Sequence, residues 1–358
     1  MTKDDKSVST DQDLLSYQFR RQLFRDGVIH DPNAHLRPLT GGVSSDIYLV
    51  EDGDRRMVAK RALATLRVQE PWTADVSRNR VEMEALRFIG GLVPNVAPKL
   101  LVADPNKNYF VMEYFDARFL NWKQLLLSGT CCDIHARIAG GTLGVLHRRT
   151  WGITALAAKL GQWKDFRQLR TAPYLEVLAD KHPTIATAIA VQIDYLRDSP
   201  HKCLVHGDYS PKNILFCDSQ LVVLDWEVAW FGEPAFDIAF LLNHLLLKAI
   251  LHKQQAADLT HLALVAWRAY AENIGTENFN LVAPAVLQLL PLLMLARVDG
   301  KSPVEYLCED IDKDMVRQFA LKSIFKRWSS MEEFCAAYTE FIKDHSHENY
   351  GHHRLSDI

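Results

Sequence analysis

The chain has 358 residues, enough for two domains or one large two-lobed unit. Hydrophobic residues at 48% and charged residues at 24% are the proportions of an ordinary globular protein. A formal net charge of −3 leaves no electrostatic footprint for DNA or RNA, so no nucleic-acid partner is expected; a cationic or neutral small substrate stays open, because local charge decides that contact.

The N-terminus, MTKDDKSVSTDQD, is polar and acidic and has no apolar region of the kind a secretory signal needs. Residues 11–26 place Leu14, Leu15, Phe19, Leu23 and Phe24 at helical spacing, and Gly27 reads as the stop. A β-rich section follows. After His35-Leu36-Arg37-Pro38-Leu39 comes the loop Thr40-Gly41-Gly42-Val43-Ser44-Ser45-Asp46. Residues 47–50 read as a strand, 51–55 as a turn and 57–60 as the returning strand. Glycines without Cβ let backbone N–H groups approach an anion, and Ser44 and Ser45 add hydroxyl donors. Two glycines in a hairpin are weak evidence by themselves.

Residues 76–90 read as a helix with Val81, Leu86, Phe88 and Ile89 apolar, ended by Gly90-Gly91. Residues 96–101, with Pro98, read as a loop entering an edge strand, and 108–115 as another strand. Helical patterns then dominate: 122–127, 132–148, 166–179 and 185–196. In the second of these, Ile134, Ile138, Leu143, Leu146 and His147 fit a buried stripe, with His147 a packed, hydrogen-bonded histidine.

The most informative stretch is LVHGDYSPKNILFCDSQLVVLDWE, residues 204–227. A turn-rich loop, His206 to Asn213, precedes two short apolar strands joined by Cys217-Asp218-Ser219-Gln220. The hairpin brings its outer ends together, so Asp208, Asn213 and Asp225 are expected to converge. An Asp, an Asn five residues on and an Asp after the next strand suit phosphoryl transfer: one carboxylate orients a hydroxyl, and two hard oxygen ligands hold Mg²⁺. Lys212 is expected to point to solvent.

Downstream, Glu233-Pro234 opens a helix with Asp237 in its first turn, where a carboxylate suits the helix dipole. Trp226, Trp230 and Phe231 read as core aromatics near the loop. The apolar stretch 281–296 contains Pro284, Gln288 and Pro291 and is shorter than a membrane span, so a buried helix and no membrane association are expected. The loop 297–303 reads equally as cleft lining or surface turn. Two final helices cover 312–343, and the His-containing end is expected to be a polar tail. Six cysteines without a CxxC spacing read as reduced thiols, which implies a cytoplasmic location.

His206-Gly207-Asp208, Asn213 and Asp225-Trp226-Glu227 resemble the H-G-D-x-x-x-x-N and D-x-D/E segments of the aminoglycoside phosphotransferase and choline kinase superfamily. The resemblance covers roughly residues 36–300. It implies an α+β, two-lobed protein-kinase-like fold: an N-terminal helical extension (1–27), a β-rich N-lobe (28–115), a helical C-lobe (116–345) and a tail (346–358). It implies ATP and Mg²⁺ as cofactors and a small-molecule hydroxyl as acceptor, with the chain a monomer or homodimer. Asp208 would be the catalytic base, with His206 a scaffold for its loop and Asp237 a brace. Lys60 would reach the ATP phosphates, paired with Glu82; Glu84 is the competitor. Gly41, Gly42, Ser44 and Ser45 would cover the phosphates, and Met112, Glu113 and Tyr114 the adenine edge. Asn213 and Asp225 would hold metal, with Glu227 as the second acidic position. The alternative to an enzyme is a nucleotide-binding scaffold. A protein kinase is disfavoured, because Asp225-Trp226-Glu227 runs almost directly into Pro234 and leaves no peptide-docking segment.

Overall fold

The computed structural model describes residues 4–39, 45–63, 78–104, 106–107 and 109–352. Helix α1 (Asp4–Arg25) leads into an antiparallel sheet of β1 (His35–Pro38), β2 (Ser45–Asp52) and β3 (Arg55–Ala62). Helix α2 (Arg78–Leu92) follows, then β4 (Leu100–Ala103) and β5 (Phe110–Glu113). The sheet order is β1-β2-β3-β5-β4, which puts β4 at an edge as Pro98 suggests.

Alternation along these strands sorts the lobe into two cores. Met57 and Ala59 on β3, with Tyr109 and Val111 at β5, share a cluster with Phe19 and Leu23 of α1. Val58, Phe110 and Met112 face the other way, against Met83, Leu86 and Ile89 of α2. The N-terminal helix therefore closes one face of the sheet rather than standing apart as an extension. Its Phe19 ring lies 5.5 Å from Tyr48 and 5.3 Å from Tyr109. Lys60 is two residues from Val58, so it points to the α2 side. α2 runs past Gly90-Gly91 to Leu92, since neither glycine takes a positive φ there.

The second lobe opens with β6 (Leu120–Asn121), α3 (Trp122–Leu127) and α4 (Asp133–Thr150). Ile134 departs from the expected stripe: it is 60% exposed at the helix start, while Leu143, Leu146 and His147 are buried. The expected single helix over 166–179 is three pieces: α5 (Trp163–Phe166), a π-helical stretch (Arg167–Glu176) and α6 (Val177–Lys181). Pro173 lies inside the π-helical stretch, where a missing N–H and a bulky ring disfavour tighter α-helical turns. Helix α7 (Ala186–Asp198) leads to strand β7 (Cys203–Val205), the hairpin β8 (Ile214–Cys217) and β9 (Gln220–Val223), and β10 (Trp230–Gly232).

Helices α8 (Ala235–Leu251), α9 (Ala256–Ile274), α10 (Thr276–Asp299), α11 (Asp310–Ile324) and α12 (Met331–His352) complete the lobe. α8 is buried on every side, as an all-round apolar helix must be. α4 and α9 touch closely: a Cβ on Gly140 would fall 2.0 Å from the Ala266 carbonyl oxygen. α10 is longer than the apolar stretch suggested, and its 24 residues would reach across a bilayer; 67% of its apolar window is buried in the fold. α12 continues through His352, so the expected polar tail begins as helix. Chain order and layering are those of a two-lobed, protein-kinase-like α+β fold.

Candidate active site

The site forms where the sheet lobe meets the β7–β9 segment. On α2, Glu82, Ala85, Leu86 and Ile89 recur at helical spacing and are all buried, which puts the Glu82 carboxylate on the stripe facing β3. There the Lys60 ammonium lies 2.7 Å from Glu82 Oε2 and 2.5 Å from Asp225 Oδ1. Glu84 faces away and pairs with Arg87 at 2.6 Å. Burial works against the Lys60 charge, but Asp225, Glu82 and Glu227 outweigh it and hold the ammonium protonated well above the lysine range. Burial raises Asp225 too, and the neighbouring Lys60 and Lys212 more than reverse that, so it is ionised. Carboxylate oxygens of Glu82, Asp225 and Glu227 lie within 4.8 Å of one another. Glu227 also accepts from Arg78 Nε at 3.3 Å and from Ser45 Oγ at 3.4 Å.

The loop before β8 is held from beneath. Asp237, fully buried at the start of α8, accepts from the backbone N–H of His206 at 2.6 Å and of Gly207 at 2.9 Å. His147 packs below it, 2.9 Å from the Tyr270 hydroxyl and 3.4 Å from Asp237. Gly207 has φ +76, and a Cβ there would lie 2.8 Å from the Val228 carbonyl oxygen, so both conformation and space require glycine. His206 Nδ1 accepts the Asp208 N–H at 3.0 Å, so its Nε2 carries the proton and donates to Leu224 O at 3.0 Å. Burial lowers the His206 pKa and keeps this neutral tautomer. One imidazole thereby ties the Asp208 loop to the residue before Asp225.

The hairpin does what its sequence suggests. Ile214 pairs with Val223, and Leu224 donates to the Asn213 carbonyl at 2.8 Å, so Asn213 and Asp225 end up at the same end. Asn213 Nδ2 donates to the Asp208 carbonyl at 3.0 Å, an orientation that offers its amide oxygen as the ligand atom. Asp225 has φ 67, an uncommon conformation for a residue with a side chain.

Asp208 is 3% exposed and is held by two cations, Arg170 Nη2 at 3.1 Å and Lys212 Nζ at 2.8 Å. Burial raises its pKa, but Lys212 and Arg170 bring it below the ordinary carboxylate value, so it is ionised. Lys212 is half-exposed, in keeping with the expected solvent side, and its ammonium also reaches Asp208 from there. Trp226 and Trp230 are buried, and Phe231 packs on the same core, as core aromatics should.

Of the phosphate-covering residues, Gly41, Gly42 and Ser44 lie outside the described residues, and Ser45 faces Glu227. Met112 is paired on both sides within the sheet, and the Glu113 N–H donates to Lys99 O at 2.9 Å, so Tyr114 alone lies beyond the strand end. Sequence reasoning missed Arg170 and Arg78. Arg170 sits four residues before Tyr174, among Leu169, Tyr174 and Leu175 on the buried side of the π-helical stretch; a charged residue in an apolar stripe was the available signal.

A family model described as "Phosphotransferase enzyme family" matches residues 35–272. Methylthioribose kinase of Bacillus mycoides (strain KBAB4) is 21% identical over 256 residues, 63% of this chain and 64% of that protein. Acyl-CoA dehydrogenase family member 11 of Mus musculus is 26% identical over 218 residues, 56% of this chain but 27% of that protein. The chain thus spans less than two thirds of the length of these curated relatives. The fold is similar to that of an amicoumacin kinase solved with AMP-PNP, Ca²⁺ and Ami, with TM-score 0.57 and 12% identity, covering 89% of this chain and 97% of that one.

Proposed function

This chain belongs to the phosphotransferase enzyme family, and from that premise we propose that it transfers the terminal phosphoryl group of ATP to a hydroxyl of a small molecule. The observation that carries the reading is the buried Lys60 held between Glu82 and Asp225, beside a loop that presents an ionised Asp208. The kinase relatives and the AMP-PNP and Ca²⁺ of the amicoumacin kinase complex support a nucleotide and a divalent cation.

The donor set fits Mg²⁺. Asp225 and Glu227 offer hard carboxylate oxygens within 4.8 Å, and Asn213 offers an oriented amide oxygen. Asn213 and Asp225 would hold the ion, with Glu227 as a further acidic position. A divalent cation held there would act as a Lewis acid that offsets the negative charge developing in transfer.

The remaining work falls to the chain's own groups. Lys60, kept cationic and extended by Glu82, meets the α- and β-phosphates. Asp208 accepts a hydrogen bond from the acceptor hydroxyl and aims its oxygen at the phosphoryl group. Its lowered pKa makes it a weak base until late in the step, which suits a loose transition state in which the hydroxyl proton leaves last. Arg170 and Lys212 stand beside that oxygen and counter charge on the transferring group.

The test is ADP release with a panel of hydroxylated metabolites, comparing wild type with Asp208→Asn. Turnover should fall by about two to four orders of magnitude, with AMP-PNP affinity unchanged. Full turnover by Asp208→Asn would remove Asp208 from the role of base.

A further inference from the structure

Cations accumulate on the side of Asp208 away from Lys60. A continuous path leads there: Asp208 to Arg170 at 3.1 Å, then Arg170 Cζ to the Tyr174 ring centre at 5.9 Å, then that ring to Arg297 Cζ at 5.5 Å. Arg297 Nη1 donates to the Tyr174 hydroxyl at 3.1 Å and to Ser302 Oγ at 2.9 Å. Past Arg297 lies Lys248 of α8, fully buried, whose Nζ donates to His244 O at 2.9 Å and sits 4.9 Å from the Tyr306 ring centre.

The carboxylates of this region are already taken. Asp208 has Arg170 and Lys212, Glu305 has Lys123, and Asp299 has Arg317 at 2.8 Å and His182 at 2.8 Å. Among the described residues no carboxylate pairs with Arg297 or Lys248. Arg297 Nε and the Tyr306 hydroxyl are buried with no hydrogen-bond partner. Buried cations and donors without acceptors are costly, and such groups are retained where a ligand satisfies them. The nucleotide side has the opposite balance, with Glu82, Asp225 and Glu227 around Lys60 and Arg78.

We propose that the acceptor is an anionic hydroxyl compound, whose carboxylate or phosphate is held by Arg297 and Lys248 while its hydroxyl meets Asp208. This rests on the phosphotransferase reading above and narrows it. A quaternary ammonium or polyamine acceptor would face Arg170, Lys212, Arg297 and Lys248, with no unpaired carboxylate shown beside them among the described residues. The electrostatics of the cluster agree. Burial, then Lys123 and Arg297, bring Lys248 down to about 7 against a pull upward from Glu305. Burial, then Arg297, Lys248, Lys212 and Lys123, keep His244 neutral. An anion seated among these groups would reverse both costs.

The test uses the full chain loaded with AMP-PNP and Mg²⁺, so that the phosphate site is occupied. Calorimetric titration with glycerate and ribose 5-phosphate is compared with ethanolamine and glucosamine, in wild type, Arg297→Met and Lys248→Met. At least one anion should bind the wild type, each substitution should weaken it about tenfold or more, and AMP-PNP affinity should stay unchanged, which also shows that the variants fold. Binding of the cationic probes alone, anion binding indifferent to both substitutions, or no anion binding overturns the proposal. Failure of the wild type to bind AMP-PNP with Mg²⁺ would count against the phosphotransferase reading instead; the same anion titrations on the nucleotide-free chain then still decide the acceptor pocket.

Discussion

Lys60 Nζ and Asp225 Oδ1 stand 2.5 Å apart, an ion pair that crosses from the five-stranded sheet to the turn after β9. Lys60 is 2% exposed and also meets Glu82, so one ammonium is the shared counter-ion of two of the three carboxylates, while Arg78 meets Glu227. Lys60→Met leaves Glu82 and Asp225 together without their cation. Stability should fall by about 3–5 kcal/mol, as when one partner of a buried pair is removed. Mg²⁺ should then raise the Tm of the variant more than that of wild type. Thermal melts with and without Mg²⁺ check both statements, and identical melts for the two proteins would refute them.

Asp225 invites a variant that keeps its backbone. Its positive φ is tolerated by Asn, so Asp225→Asn removes the charge without adding strain. Affinity for AMP-PNP in Mg²⁺ should drop by about tenfold or more, while binding without the metal changes little. Isothermal titration in the presence and absence of Mg²⁺ separates the two terms.

Asp237 supports the loop of His206 to Asp208 through two backbone donors, at 2.6 Å and 2.9 Å. Asp237→Ala strands both N–H groups in a buried setting, at a cost of about 1–3 kcal/mol each. Urea unfolding should show the loss, and turnover should fall with it, because His206 and Asp208 lose their seat. Gly207→Ala should act on the same loop by a different route, through strain and contact with Val228.

Lys248 predicts a pH signature. Its pKa is lowered from 10.5 to about 7, by burial first and then by Lys123 and Arg297. Between those pH values an unfolded chain holds this proton and the folded chain has released it. Wild-type stability from this group therefore rises as pH climbs from about 7 toward 10.5, and the full penalty applies below 7. Lys248→Met should be more stable than wild type at pH 6, by about 1–4 kcal/mol, with the gap closing by pH 10. Chemical denaturation at several pH values measures the convergence; a gap that widens with pH would contradict it.

Local spacing carried much of the site. The alternation that puts Lys60 on the face of Val58, and the helical repeat that puts Glu82 with Ala85, Leu86 and Ile89, are both short-range properties that a sequence displays. The five-residue step from Asp208 to Asn213 and the two-strand hairpin to Asp225 are local too, so their convergence was legible. Ile134 was misjudged because the period alone does not say where a helix leaves the core.

Other features exist only once distant segments meet. Arg170, Lys212, Lys248 and Arg297 come from four separate elements, and no pattern in any one of them announces that they gather around Asp208 and His244. Lys212 Nζ meets Asp208 because a buried carboxylate attracts cations, and it does so against the repulsion of Arg170. Charge acts through space, so the sign of the field around Asp208 is a property of the packed lobe. The chain order by itself determined where Lys60, Glu82, Asp208 and Asp225 fall along their elements; packing decided which charges surround them.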